Sequence, residues 1–122
     1  MQENNRELKS ESLCDLVVRG MTEKKGTDIR VLDLRKVKNA IADFFVICSA
    51  NSDSQIDAIS DSVELEVFKA TQNKPWKSEG QVNKEWILID YVDVVAHVFK
   101  KDKREFYCLE ELWGDAKITE VA

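Results

Sequence analysis

Leu13, Leu16, Val17 and Met21 recur at helical spacing among charged residues, and this spacing predicts an amphipathic helix over residues 6–24. Lys24 and Lys25 fall in its expected last turn and Gly26 follows, which suits a helix C-terminus. The branched run from Ile29 to Leu34 predicts a strand. The unbroken apolar run Phe44–Cys48 predicts another, covered on both faces. A second helix opens near Asn51, where Ser52 and Gln55 have the spacing of a capping box, and Ile56, Ile59, Val63 and Val67 form its buried stripe. Asp53, Asp57, Asp61 and Glu64 form an acidic stripe on a different face, whose ordinary role is a solvated helix surface.

A polar segment from Thr71 to Glu85 holds the single proline, Pro75, next to Trp76, and a short strand is expected near that tryptophan. Trp86–Ile89 and Val94–Phe99 read as two strands joined by the short connection Asp90-Tyr91-Val92-Asp93, a hairpin signal. Asp102 with Glu105 has the form of a second capping box, opening a last helix through Phe106, Leu109 and Trp113 that stops at Gly114. The order α-β-β-α-β-β-α implies an α/β sandwich with a mixed sheet and flanking helices. At 122 residues the chain fits one domain, with an N-terminal helix over 1–25 and a core over 28–116.

Charge narrows the partners. The net charge is −5, spread evenly between the two halves, and only Lys100–Arg104 gathers bases. Phosphate-tracking proteins cluster Lys and Arg on one face, so this field favours basic protein partners over bare RNA or an anionic membrane. No apolar run approaches the length of a membrane span, and the reading is a soluble globular domain. Cys14, Cys48 and Cys108 sit among apolar neighbours behind a polar N-terminus unlike a leader, which suggests reduced, buried thiols in a cytosol.

Candidate chemistry is sparse. His97 is the single histidine and shares a strand face with Val95 and Phe99, so it reads as a partly buried, hydrogen-bonded core residue. No cysteine–histidine pair has zinc-ligand spacing, and no metal or cofactor is expected. The turn Ile47–Ser52, between strand and helix, could cradle a phosphate, but it contains no glycine and capping alone explains its serines. Asp90 and Asp93, three apart, would point opposite ways in one strand, and Asp33 stands alone, so no carboxylate pair converges on a metal. The exposed aromatics remain. Trp76 lies in a polar loop and Tyr91 at a hairpin tip, where interface energy would concentrate, whereas Trp86 and Trp113 fall on periodic elements and read as core.

Several blocks, in order, carry a family resemblance: Asp28–Leu34; Ala42–Ser49 followed by Ser52 and Gln55; Glu79-Gly80; Trp86–Tyr91 with Asp93–Phe99; and Arg104–Glu110 with Leu112-Trp113. Together they resemble the ribosomal silencing factor family (RsfS, also called Iojap or YbeB). The resemblance implies a non-catalytic translational repressor of the bacterial cytoplasm. Such a protein binds the large ribosomal subunit through its fourteenth protein, blocks joining of the small subunit and lowers translation when nutrients are scarce. It also implies a nucleotidyltransferase-like fold without the metal carboxylates, and a homodimer when free. The chain departs from the usual pattern at Phe44, Ala50 and Val92, where the family has Tyr, Gly and Gly, so two turns lose glycine freedom.

On this reading Trp76 is the apolar anchor of the partner surface, with Glu79, Asp90, Tyr91 and Asp93 as acidic and aromatic contacts, and His97 and Arg104 as supports. Two competing classes are a nucleotidyltransferase-like enzyme using the Ser49–Ser52 turn and Asp43, and an adaptor using the Asp53–Glu64 stripe.

Overall fold

A computed structural model describes residues 2–121, with side chains from Lys9 to Val121. The elements run α1 (Gln2–Glu23), β1 (Thr27–Asp33), β2 (Phe44–Ala50), α2 (Asp53–Thr71), β3 (Lys77–Glu79), β4 (Trp86–Asp90), β5 (Val94–Lys100), α3 (Lys101–Tyr107), α4 (Leu109–Leu112) and β6 (Lys117–Glu120). The sheet order is β3-β4-β5-β2-β1-β6, and only the central pair β2–β5 is parallel. The α/β architecture with a mixed sheet and flanking helices is the one expected.

All seven residues of β2 are buried, because helices cover both faces of the central strands. Alternate residues Phe44, Val46 and Cys48 face α1 and α2, joined by Val17, Met21, Ile56, Ile59 and Val63. Phe45 and Ile47 face the other way, into a second core with Leu32, Val95, Phe99 and Leu109 of α4.

Local chemistry explains the boundaries. Ser52 caps α2 by accepting from the Gln55 N–H at 3.2 Å. Gln55 reaches back one residue further than a capping box requires, and its Oε1 accepts from the Asn51 N–H at 2.6 Å. α1 stops at Glu23 rather than Lys24. Lys25, not Gly26, takes the left-handed conformation (φ 62°), while the Lys25 N–H reaches Thr22 O at 3.0 Å and the Gly26 N–H reaches Met21 O at 2.9 Å.

The segment after β5 departs most from expectation. Asp102 does not cap α3; Lys100 holds the N-cap position without a side-chain bond. The expected single helix breaks at Cys108 (φ 49°), which turns Leu109 into the core and leaves Phe106 77% exposed. Cys108 is exposed, unlike Cys14 and Cys48. The chain then adds an unexpected edge strand, β6, against β1.

α1 and α2 meet at Gly20, where an added Cβ would lie 2.6 Å from Val63 Cα, and the Ser62 hydroxyl donates to Gly20 O at 2.8 Å. Gly20→Ala will therefore force the helices apart. The overpacking cost of 1–3 kcal/mol is offset only in part by about 1 kcal/mol of helix propensity, and thermal melts should show net destabilisation. An unchanged or higher Tm would show that the helices can give way freely.

Candidate partner-binding surface

Trp76 enters the fold one residue before β3, and its N–H donates to Asp90 O at 2.8 Å, extending the β3–β4 ladder. That bond fixes the backbone while leaving the indole 70% exposed. The Lys77 ammonium lies 5.2 Å from the ring centroid and 3.4 Å from Glu79. Pro75 precedes Trp76 and restricts the approach of the loop.

Across from Trp76 stands the β4–β5 hairpin tip. The Asp93 N–H donates to Tyr91 O at 3.0 Å around Val92, whose φ is +75°, so the tip is a tight γ-type turn centred on a β-branched residue. The Asp90 carboxylate accepts from the Val92 N–H at 2.7 Å. Asp93 O in turn accepts from Asp43 N at 2.8 Å and Phe44 N at 3.1 Å, tying the tip to the start of β2. Ala50, the other position where the resemblance implies glycine, is the last residue of β2, fully buried and outside the left-handed region.

Trp76, Tyr91, Val92, Leu13 and Val67, with the polar Asn73 and Lys74, line a groove of about 350 Å³ between the loop, the tip, the middle of α1 and the end of α2. The Tyr91 ring packs against the core while its hydroxyl is buried without a hydrogen-bond partner, and burial, then Glu64, pushes its phenol above the ordinary value. Trp76, Glu79, Asp90, Tyr91 and Asp93 thus fall in β3, its entry, and the hairpin that β3 borders. Leu13, Val67 and the 56%-exposed Val92 were not expected there. Val92 had a sequence signal, since it sits mid-tip, but Leu13 and Val67 read only as members of helix stripes.

His97 and Arg104 lie elsewhere. His97 is 2% exposed, fully rather than partly buried, with Nδ1 accepting from Trp86 Nε1 at 3.0 Å and its ring edge-on to Phe45. Burial pulls its pKa down to about 3, so the folded protein holds it neutral. Since the unfolded chain titrates near 6.5, stability is full above that value and falls as pH drops toward 3, by up to about 1.4 kcal/mol per pH unit. Urea unfolding at pH 7 and pH 5 should show a loss of roughly 2 kcal/mol that is smaller in His97→Gln. Equal losses in both proteins would exclude His97 as the source.

Arg104 is 9% exposed and binds three elements: Nε donates to Glu110 at 2.9 Å, and Nη1 donates to Asp28 O at 2.6 Å and Ser49 Oγ at 2.9 Å. Arg30 shares Glu110 at 2.6 Å. Burial raises the Glu110 pKa, but the two arginines outweigh it and hold the carboxyl below its usual range. This network floors an open cleft of about 1060 Å³ at the C-terminal ends of β2 and β5. Ser49 is itself 1% exposed. Asp43 accepts from the Ser10 hydroxyl at 2.7 Å, and Asp33 is held by Arg35 through Nε at 3.0 Å and Nη2 at 2.7 Å. The acidic stripe is partly neutralised, with Asp53 paired to Lys100 and Asp57 to Lys84. Among the described residues, no group of three His, Cys, Asp or Glu side chains is arranged to hold a metal ion.

The family model described as "Ribosomal silencing factor during starvation" matches residues 7–122, nearly the whole chain. The chain belongs to the ribosomal silencing factor family. It is 40% identical over 115 residues to the ribosomal silencing factor RsfS of Halalkalibacterium halodurans, covering 93% of this chain and 96% of that one. Identity to RsfS of Bacillus subtilis is 36% over 116 residues, covering 93% and 95%. The fold is similar to a crystal structure of a Chromobacterium violaceum protein, with a TM-score of 0.80, 29% identity and 92% of each chain covered. The silencing-factor match spans α1, the sheet and the Trp76 loop alike, so the surface described above is part of the matched region.

Proposed function

We propose that this protein represses translation by binding the large ribosomal subunit through its fourteenth protein, so that the small subunit cannot join, and that it does so under nutrient limitation in a bacterial cytoplasm. The observation that carries the reading is the family match over residues 7–122. An exposed Trp76 beside a groove floored by Leu13 and Val67 supports the location of the contact, since a desolvated tryptophan is a typical source of interface energy. Glu79, Tyr91 and Asp93 complete the proposed contact, and the net charge of −5 favours a basic ribosomal protein over rRNA. In this reading the free protein is a homodimer and requires no cofactor.

The nucleotidyltransferase-like alternative would use side chains already engaged. The Ser49 hydroxyl accepts from Arg104, and the Ser52 hydroxyl caps α2. We therefore assign the protein a regulatory rather than catalytic role. Sedimentation with purified bacterial subunits tests the assignment: the protein should pellet with large and not with small subunits at physiological salt. Equal pelleting with both would indicate non-specific attachment.

A further inference from the structure

Asp90 was expected to offer its charge to the partner, yet its carboxylate is turned to its own hairpin. It accepts from the Val92 N–H at 2.7 Å, while its carbonyl accepts from the Trp76 N–H at 2.8 Å. One residue thus holds both walls of the groove. The clamp acts on a strained element: Val92 sits at φ +75°, where a β-branched residue is disfavoured, in a turn closed by the Asp93 N–H to Tyr91 O bond. Left unclamped, such a turn relaxes toward negative φ, and Tyr91 and Val92 then move away from Trp76.

We infer that Asp90 is a positioning residue, whose carboxylate holds the hairpin tip in its strained turn and so keeps Tyr91 and Val92 against Trp76. This rests on the Trp76 surface being the ribosome contact. The charge of Asp90 is then dispensable and its acceptor oxygen is not, because an asparagine in the same place offers the same oxygen to the Val92 N–H. Glycine at position 92 removes the need for the clamp, since it adopts positive φ without strain.

The test combines Asp90→Asn, Asp90→Ala, Val92→Gly, the Asp90→Ala/Val92→Gly double variant and Trp76→Ala, with affinity for isolated bacterial large subunits and thermal melts measured for each. Asp90→Asn should bind within about twofold of wild type, and Asp90→Ala about tenfold more weakly. On the Val92→Gly background, Asp90→Ala should cost no more than about threefold, the shortfall being the coupling between clamp and strain. Amide exchange at Asp93 in the free protein gives a readout independent of the ribosome: Asp90→Ala should accelerate it, and Asp90→Asn should not. Equal losses of binding in Asp90→Asn and Asp90→Ala, undiminished in the double variant and with Asp93 exchange unchanged, would overturn the inference and return Asp90 to a direct charge contact. Normal binding by Trp76→Ala would instead overturn the placement of the contact, while the exchange data still decide the clamp.

Discussion

Trp76→Ala will bind large subunits at least about 2 kcal/mol more weakly than wild type, almost entirely through faster dissociation. The indole is 70% exposed in the free protein, so its removal takes little from the core and the variant should melt near the wild-type temperature. The backbone bond from the Trp76 N–H to Asp90 O survives the change, because it does not involve the side chain. Charge reversal at Glu79 will act differently. Glu79 is exposed and paired to Lys77 at 3.4 Å, so Glu79→Lys should mainly slow association, by an amount that shrinks as salt rises. A Trp76→Ala protein that melts much earlier yet binds normally when folded would move the contact away from this loop.

Arg104→Met will show the opposite pattern, a large loss of stability with binding by the folded fraction preserved. The side chain joins α3 to the β1 bulge at Asp28, to Ser49 in β2 and to Glu110 in α4. Its removal leaves the Asp28 carbonyl and the Ser49 hydroxyl short of a donor and leaves Glu110 with Arg30 alone, a loss of about 3 kcal/mol by analogy with other broken buried pairs. Asp28 holds φ +48°, and loss of the bond to its carbonyl should also loosen the bulge. A variant that melts like wild type but no longer binds would mean that Arg104 reaches the partner directly.

The parts of the fold legible in the sequence are those where one local pattern meets no competitor. The α2 stripe of Ile56, Ile59, Val63 and Val67 is fully buried, and Ser52 caps the helix as its spacing implied. The continuous apolar run of β2 is covered on both faces. After β5 the structure departs from the helical pattern because packing overrides it. Phe106, Leu109 and Trp113 share one face of an ideal helix, but burying Leu109 against the β2–β5 face needs the break at Cys108, and Phe106 is left outside. β6 lacks any apolar alternation that reaches the core, since all four residues are exposed, and it forms only because the edge of β1 offers unpaired backbone.

The candidate surface was legible as residue types but not as roles. A tryptophan in a polar loop and a tyrosine at a hairpin tip pointed to the right neighbourhood. Nothing local shows that His97 is fully buried or that Arg104 lies inside the protein. Those facts depend on which side chains the sheet brings together. The glycine that the resemblance implies at position 92 was the best clue to the tip, and the left-handed conformation of Val92 explains why glycine would suit that site.

Steric exclusion of the small subunit is measured directly by a subunit-joining assay. Purified large and small subunits are mixed under joining conditions with increasing amounts of this protein, and the products are separated on a sucrose gradient. Joined ribosomes should fall in proportion to occupancy, with the protein migrating on free large subunits, and Trp76→Ala should need a correspondingly higher concentration. Undiminished joining with the protein bound to the joined ribosomes would contradict the account.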